Sequence, residues 1–354
     1  MVTIEELLQI MVQRRGSDLH VTAGAPPKIR VDDNLVSTEH DVLTPEATQK
    51  IIYSFLTSDQ IARFEKDLEL DLSFGVDGLG RFRVNVFQQR GAVGAVLRMI
   101  PYEIKTFQQL GLPEEVCTRL CNEPKGLILV TGATGSGKST TLASMINFIN
   151  ETQQSHVITI EDPIEFLHRN KKCLFNQREV GSDTHGFKGA LRSVLRQDPD
   201  VVLIGEMRDQ ETIEAALTLA ETGHLTFGTL HTSDTVQTIN RIVDVFPAYQ
   251  QQQIRTQLAF SVVGVFCQQL VPKSGGKGRV LISEIMISNP AVKALIRDDK
   301  AHQIYSIIQT GGKLGMKTMN QSLADAVKSN AITMDDAVSR TSDVEDLKRL
   351  LARS

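Results

Sequence analysis

No run of eighteen apolar residues occurs in this chain, so the sequence signature of a membrane-spanning helix is missing. Acidic and basic residues interrupt the opening MVTIEELLQIMVQRRG, which reads as a short amphipathic helix rather than a signal peptide, and a soluble cytoplasmic protein is expected. Cysteine is scarce: Cys117, Cys121, Cys173 and Cys267 are too few and too scattered for a disulfide framework in 354 residues. No C-x-x-C pair is present, which disfavours zinc, and Cys117 and Cys121, four apart, fit small apolar residues on one helix face. The formal net charge of -4 gives no general attraction to nucleic acid. Internal repeats and low-complexity segments are also absent. What remains is a chain with 41% hydrophobic residues, long enough to bury a large core in two or three domains.

Over the first hundred residues, short helices mix with alternating segments at 18–22, 27–31, 70–74, 81–87 and 94–100, the pattern of a small α+β domain with an antiparallel sheet. Asp77-Gly78 and Leu79-Gly80 supply a turn, and Thr44-Pro45 opens a helix running through Ile51, Ile52 and Phe55. Residues 101–113 read as a linker. From Lys125 apolar strands alternate with amphipathic helices, which implies a parallel sheet covered on both faces. Expected strands are 126–131, 156–160, 201–205 and 225–230, with a helix over Asp209 to Thr222 and a hairpin from 263–271 and 279–288. Beyond Asn289-Pro290 the pattern is helical, interrupted at Gly311-Gly312 and Gly315. The working division is 1–100, 101–113, 114–289 and 290–354.

Residues Gly132, Ala133, Thr134, Gly135, Ser136, Gly137, Lys138 and Ser139 fill every fixed position of the phosphate-cradling pattern G-x-x-x-x-G-K-[ST]. The apolar run Gly126–Thr131 precedes them and helical spacing begins at Thr140, so the motif sits at a strand-loop-helix junction. There glycines let backbone amides close around an anion, and the positive end of the helix dipole faces it. ATP is the expected ligand. Lys138 would neutralise its β and γ oxygens, and Ser139 would ligate Mg²⁺.

Hydrolysis also needs a carboxylate, a water-orienting group and positive charge on the transition state. Glu206 ends the run from Asp200 and is the first choice for the catalytic carboxylate. The usual Asp one residue earlier is replaced by Gly205, so Glu206 could bind metal or polarise water. Glu161, Asp162 and Glu165 end the preceding strand and could share that labour; the plainer alternative is an acidic turn ended by Pro163. His231 follows the 225–230 strand on the ligand side, where it would sense the terminal phosphate or merely cap a helix. Arg81, Arg83, Arg90 and Arg98 make a basic stretch, with Arg81 and Arg83 on one strand face. They are either a solvated face or a source of arginine fingers.

Taken together, Gly132–Ser139, the 160–165 segment, Leu203-Ile-Gly-Glu206-Met-Arg-Asp209, Gly228-Thr-Leu-His231-Thr, the opening Ser17-Asp-Leu-His20 with Pro26-Pro27, and the helical tail from Pro290 resemble the secretion-type ATPase superfamily. Within it they are most similar to the type IV pilus retraction ATPases. The resemblance implies a PAS-like first domain, a RecA-like P-loop domain, a helical C-terminal tail, and a homohexamer with each nucleotide between the two domains. It assigns Glu161 to Glu165 to an Asp box, Glu206 to Walker B and His231 to a His box, and it maps interfacial arginines to the stretch holding Arg81, Arg83 and Arg98. Thus catalytic roles fall to Lys138, Glu161, Glu206, His231 and those arginines, metal binding to Ser139, Glu161 and Glu206, and phosphate binding to residues 132–140 including Thr140. The implied partner is a platform protein of the inner membrane, with the ATPase peripheral to it. The tail motif AIRNLIRE of retraction motors is departed from here, where Ala291–Asp298 replaces Arg by Lys, Asn by Ala and Glu by Asp. Extension motors carry a longer N-terminal region and a paired-cysteine zinc insert, neither of which this sequence matches, so retraction is the expected direction.

Two other classes compete with the motor reading. A nonhydrolysing nucleotide-binding regulator at the pilus base would show no turnover. A nucleic-acid translocase on the same core would show a basic groove and stimulation by DNA, against which the acidic balance argues.

Overall fold

The structure is a computed structural model describing residues 2–31, 34–76, 78–100 and 103–352. Asp77 of the expected turn, and Pro101 and Tyr102 at the head of the expected linker, lie outside those residues. The chain divides into two compact units: one holds Met1–Glu103 with Glu165–Leu167, the other Ile104–Ile164 with His168–Ser354.

In the first unit six strands form one antiparallel sheet: β1 Asp18–Val21, β2 Lys28–Val31, β3 Asn34–Ser37, β4 Glu69–Val76, β5 Gly80–Gln89 and β6 Ala92–Ile100, in the order β3-β2-β1-β6-β5-β4. Alternation drives it. On β5, Phe82, Val84 and Val86 are buried while Arg81, Arg83 and Asn85 face the other way. The helix Ile4–Gln13, whose first turn is capped by Thr3, inserts Ile4, Leu7, Leu8 and Met11 into the same core. Each such side chain contributes about 1.5–3 kcal/mol by leaving water. The expected strands all form, but β3 was not foreseen: NLVS is exposed at every position, so its only reason to be a strand is the ladder it completes on β2. The helix opened by Thr44 and Pro45 ends at Tyr53, short of Phe55, which instead stacks on Phe74 with ring centroids 4.7 Å apart.

The second unit is built on a seven-stranded sheet: β7 Gly126–Thr131, β8 His156–Glu161, β9 Leu174–Glu179, β10 Val201–Ile204, β11 Leu225–Leu230, β12 Val262–Pro272 and β13 Arg279–Ile287. Their order is β13-β12-β7-β11-β10-β8-β9, parallel throughout except for β13. Every residue of β7, β10 and β11 is buried, as strands covered on both faces must be. The expected hairpin exists, yet β12 also pairs along β7 and so extends the main sheet. β9 was missed because LFNQRE is mostly polar, an edge strand that buries only Phe175 and Glu179. Cys117 and Cys121 are fully buried on the helix Glu114–Cys121, as small apolar residues would be.

Beyond β13 the chain is helical from Pro290, opened by an Asn289 cap. Its later helices close a small cluster of Val271, Ile282, Leu323, Ile332 and Leu347. Among the described residues, no helix is long and apolar enough to cross a membrane.

Candidate nucleotide site

Parallel pairing sets the carboxyl ends of four neighbouring strands side by side. Thr131 of β7 pairs with Leu230 of β11, Gly228 of β11 with Ile204 of β10, and Ile204 with Ile160 of β8. Gly132, His231 and Gly205-Glu206 follow those ends and Glu161 is the last residue of β8, so four separate motifs meet along one edge of the sheet, where open parallel sheets bind ligands.

The loop after β7 has the geometry of an anion cradle. A Cβ on Gly132, at φ +140°, would lie 2.4 Å from the Gln268 carbonyl oxygen and 2.6 Å from Ser136 Oγ. Only glycine lets the chain pass between them. Gly135 and Gly137 are also at positive φ, and Gly137 precedes the helix Lys138–Thr152 with no side-chain cap. The amides of the first turn, with the helix dipole behind them, therefore have no competing internal anion. Ser136 Oγ is buried with no hydrogen-bond partner among the described residues. A phosphate oxygen fits both features. Ser139 is exposed beside the loop and Thr140 half-buried. Lys138 curls over the loop, donating from Nζ to the carbonyls of Gly132 at 2.8 Å and Ala133 at 3.1 Å. Burial lowers its pKa, and the charge of Glu206 opposes that shift.

Glu206 stands at the centre of the acidic side. Arg208 Nη2 donates to Oε2 at 2.7 Å, and His231 Nε2 lies 3.2 Å from Oε1. The Arg208 hydrogen bond, against burial and with the charges of Arg208, His231 and Lys138, holds this carboxyl below its ordinary pKa. The segment is pinned from beneath, because Met207 N–H donates to the Thr229 carbonyl at 3.0 Å and Thr229 Oγ1 to the Gly205 carbonyl at 2.5 Å. Gly205 itself has a steric reason. A Cβ there would lie 3.2 Å from both the Glu161 Cα and the Ile160 carbonyl oxygen, so the usual Asp would require these backbone atoms to give by a few tenths of an ångström.

Glu161 is buried at the end of β8 and accepts from Thr159 Oγ1 at 2.7 Å and Gln177 Nε2 at 3.3 Å. Glu161 is the last residue of the strand, and the chain bends at Asp162 and Pro163 after it. His231 caps no helix; Asp234 does, accepting from the Gln237 N–H at 2.8 Å. Among the described residues no three His, Cys, Asp or Glu side chains gather tightly enough to hold a metal by themselves.

Arg81, Arg83 and Arg98 belong to the first unit. Arg81 reaches Ser73 Oγ at 2.6 Å, Arg83 pairs with Glu165 at 3.6 Å and Arg98 with Asp18 at 2.7 Å. In register, Arg83 and Arg98 face each other across β5 and β6, and Asp18 flanks Arg98 on β1. Sequence reasoning assigned no role to Arg208 or Gln268. Arg208 stood in plain view two residues past Glu206, whereas nothing in the sequence ties Gln268 to a loop at 132.

The model of the family described as type II/IV secretion system protein matches residues 1–339. The chain is 52% identical to the type IV pilus retraction ATPase PilT of Pseudomonas aeruginosa, over 94% of this chain and 96% of that one. It is 45% identical to a twitching motility protein of Neisseria gonorrhoeae, covering 94% and 90%. A crystal structure of the pilus retraction motor PilT with bound ADP superposes with a TM-score of 0.92 at 50% identity, covering 99% of this chain and all of that one.

Proposed function

The chain belongs to the type II/IV secretion system protein family, and we propose that it is an ATP-hydrolysing motor that powers type IV pilus retraction and twitching motility. The observation that carries this reading is the meeting of the 132–139 cradle with Glu206 and His231 at one sheet edge. Its first domain is PAS-like and its second RecA-like, with the boundaries 1–100, 101–113, 114–289 and 290–354. Six copies form a ring beside a platform protein on the cytoplasmic face of the inner membrane.

ATP is gripped by residues 132–140, where Lys138 leaves the loop carbonyls for the β and γ oxygens and the helix amides take the remainder. Ser139, Glu206 and Glu161 would hold Mg²⁺, directly or through water, and the ion would supply positive charge to the β and γ oxygens during transfer of the γ-phosphoryl to water. Glu206, kept ionised by Arg208, orients the attacking water and accepts its proton. His231 reports on the γ-phosphate through that same carboxylate. Arg81, Arg83 and Arg98 supply transition-state charge from the first domain. Because the closed state alone binds the γ-phosphate well, hydrolysis removes the differential affinity that holds two domains together.

Two measurements test this. Steady-state phosphate release by the purified protein should be well above background, and a regulator would show none. A deletion strain should carry abundant surface pili that do not retract; bald cells would overturn retraction in favour of assembly.

A further inference from the structure

On the far side of β12 from the nucleotide edge lies an acid that the mechanism above does not use. Glu284 of β13 is 3% exposed, and its Oε1 accepts the Thr235 N–H at 2.8 Å. Thr235 is the first residue of the helix Thr235–Asp244, and Asp234 before it already caps that helix. Two carboxylates therefore hold one helix start. Three residues upstream of Asp234 is His231.

The contact belongs to a chain of side chains that is buried except at the half-buried Thr232. Thr232 Oγ1 lies 2.7 Å from Thr238 Oγ1, Thr238 and Thr235 both face Cys267 Sγ at 4.0 and 3.9 Å, and Cys267 pairs with Glu284 across the hairpin and with Thr131 across β7. Glu284 thus stands one strand from the residue that precedes the phosphate loop. Its next neighbour, Ile285, exchanges both backbone hydrogen bonds with Lys317, at 2.8 and 3.0 Å. A buried acid is costly to keep, and burial raises its pKa here. A hydrophobic residue of that size would fill the space without the cost, so what the acid contributes is the hydrogen bonds it accepts, from Thr235 and from the Met319 backbone.

We propose that Glu284 is a positioning residue for ATP hydrolysis: by holding the Thr235 N–H it fixes the 231–234 turn, and with it the contact between His231 and Glu206. This rests on the motor reading above, and it adds a second anchor for His231 from a strand more than fifty positions later in the chain. The loop at Gly132 rests on the Gln268 carbonyl and not on Glu284 itself, so the fault in the anchor's absence is expected on the chemical step rather than on nucleotide binding.

The test is a double-mutant cycle read as kcat and KM for ATP on the full-length protein. E284L should lower kcat by about tenfold to a hundredfold, the loss expected of a misplaced catalytic group, with KM changed by less than about twofold on the same argument. In an H231A background, measured by single turnover, E284L should cost almost nothing further. E284Q, which keeps an acceptor oxygen for Thr235, should restore native kcat. Should E284L fail to fold, T235P takes its place, since it deletes the donor at a first-turn position where proline is compatible with the helix. An undiminished kcat in the variant that folds, the same loss with and without His231, or a loss confined to KM would each overturn the proposal. A native protein without phosphate release would instead overturn the motor reading, so the two failures are distinguishable.

Discussion

His231 and Arg208 hold opposite oxygens of one carboxylate: His231 Nε2 is 3.2 Å from Glu206 Oε1, and Arg208 Nη2 is 2.7 Å from Oε2. A group clamped on both sides points in one direction only, which is what a water-orienting base needs. It also stays ionised.

Removing the clamp should be visible against pH. Glu206 has its folded pKa lowered below the ordinary 4.5, first by the Arg208 hydrogen bond. A carboxyl with a lowered pKa stabilises the fold above its unfolded value, and that contribution disappears as pH falls through the folded one. R208A should therefore raise the pH at which Glu206 takes a proton and move the acid limb of kcat upward. A pH-rate profile that superposes on the native one would disprove the assignment.

E206Q should separate binding from chemistry. The phosphate loop is untouched by this change, so ADP affinity measured by calorimetry should stay native, while kcat falls by about 10² to 10⁴, the usual worth of a positioned acid or base. A sharp loss of nucleotide affinity would reassign Glu206 to the binding site.

K138A should do the opposite. On the proposed mechanism the Nζ that donates to the carbonyls of Gly132 and Ala133 moves to the β and γ oxygens. Phosphate release should drop to background and nucleotide affinity by at least about tenfold, since a hydrogen bond to a charged group is worth roughly 1.5–3 kcal/mol. Normal turnover in a folded K138A protein would end the ATPase reading.

G205D tests whether the missing Walker-B Asp is a steric matter. With backbone atoms of Glu161 and Ile160 only 3.2 Å from the new Cβ, the strand ends must give by a few tenths of an ångström. Destabilisation of about 1–3 kcal/mol is expected in denaturant unfolding, with lower kcat. A variant as stable and active as the native protein would refute the packing argument.

The trans role of the arginines can be read by mixing subunits. In a ring where Arg81, Arg83 or Arg98 serves the neighbour's nucleotide, K138A subunits mixed with subunits lacking that arginine should regain turnover, because some interfaces then hold both native groups. Mixtures as inactive as their components would assign the arginines to a structural role such as the pairing of Arg98 with Asp18.

Legibility followed the range of the forces involved. The phosphate loop was readable because its eight residues are contiguous and each has a local reason, and β7 and β11 because strands buried on both faces are unbroken apolar runs. β3 and β9 were not, since NLVS and LFNQRE owe their conformation to a neighbouring strand and carry no pattern of their own. The same holds within the site. Glu206 and His231 could be nominated singly from the sheet-edge argument, but their mutual contact depends on how β10 and β11 are paired, and the Gln268 carbonyl beneath Gly132 comes from a strand far along the chain.

That last contact has a consequence for biosynthesis. Because the floor under Gly132 is supplied by Gln268, the cradle is incomplete while the ribosome is still translating toward β12. At elongation rates of about 5–20 residues/s the interval between the two residues lasts roughly 7 to 27 s, and through it the emerging polypeptide carries the full phosphate-loop sequence without a finished pocket to close on a nucleotide.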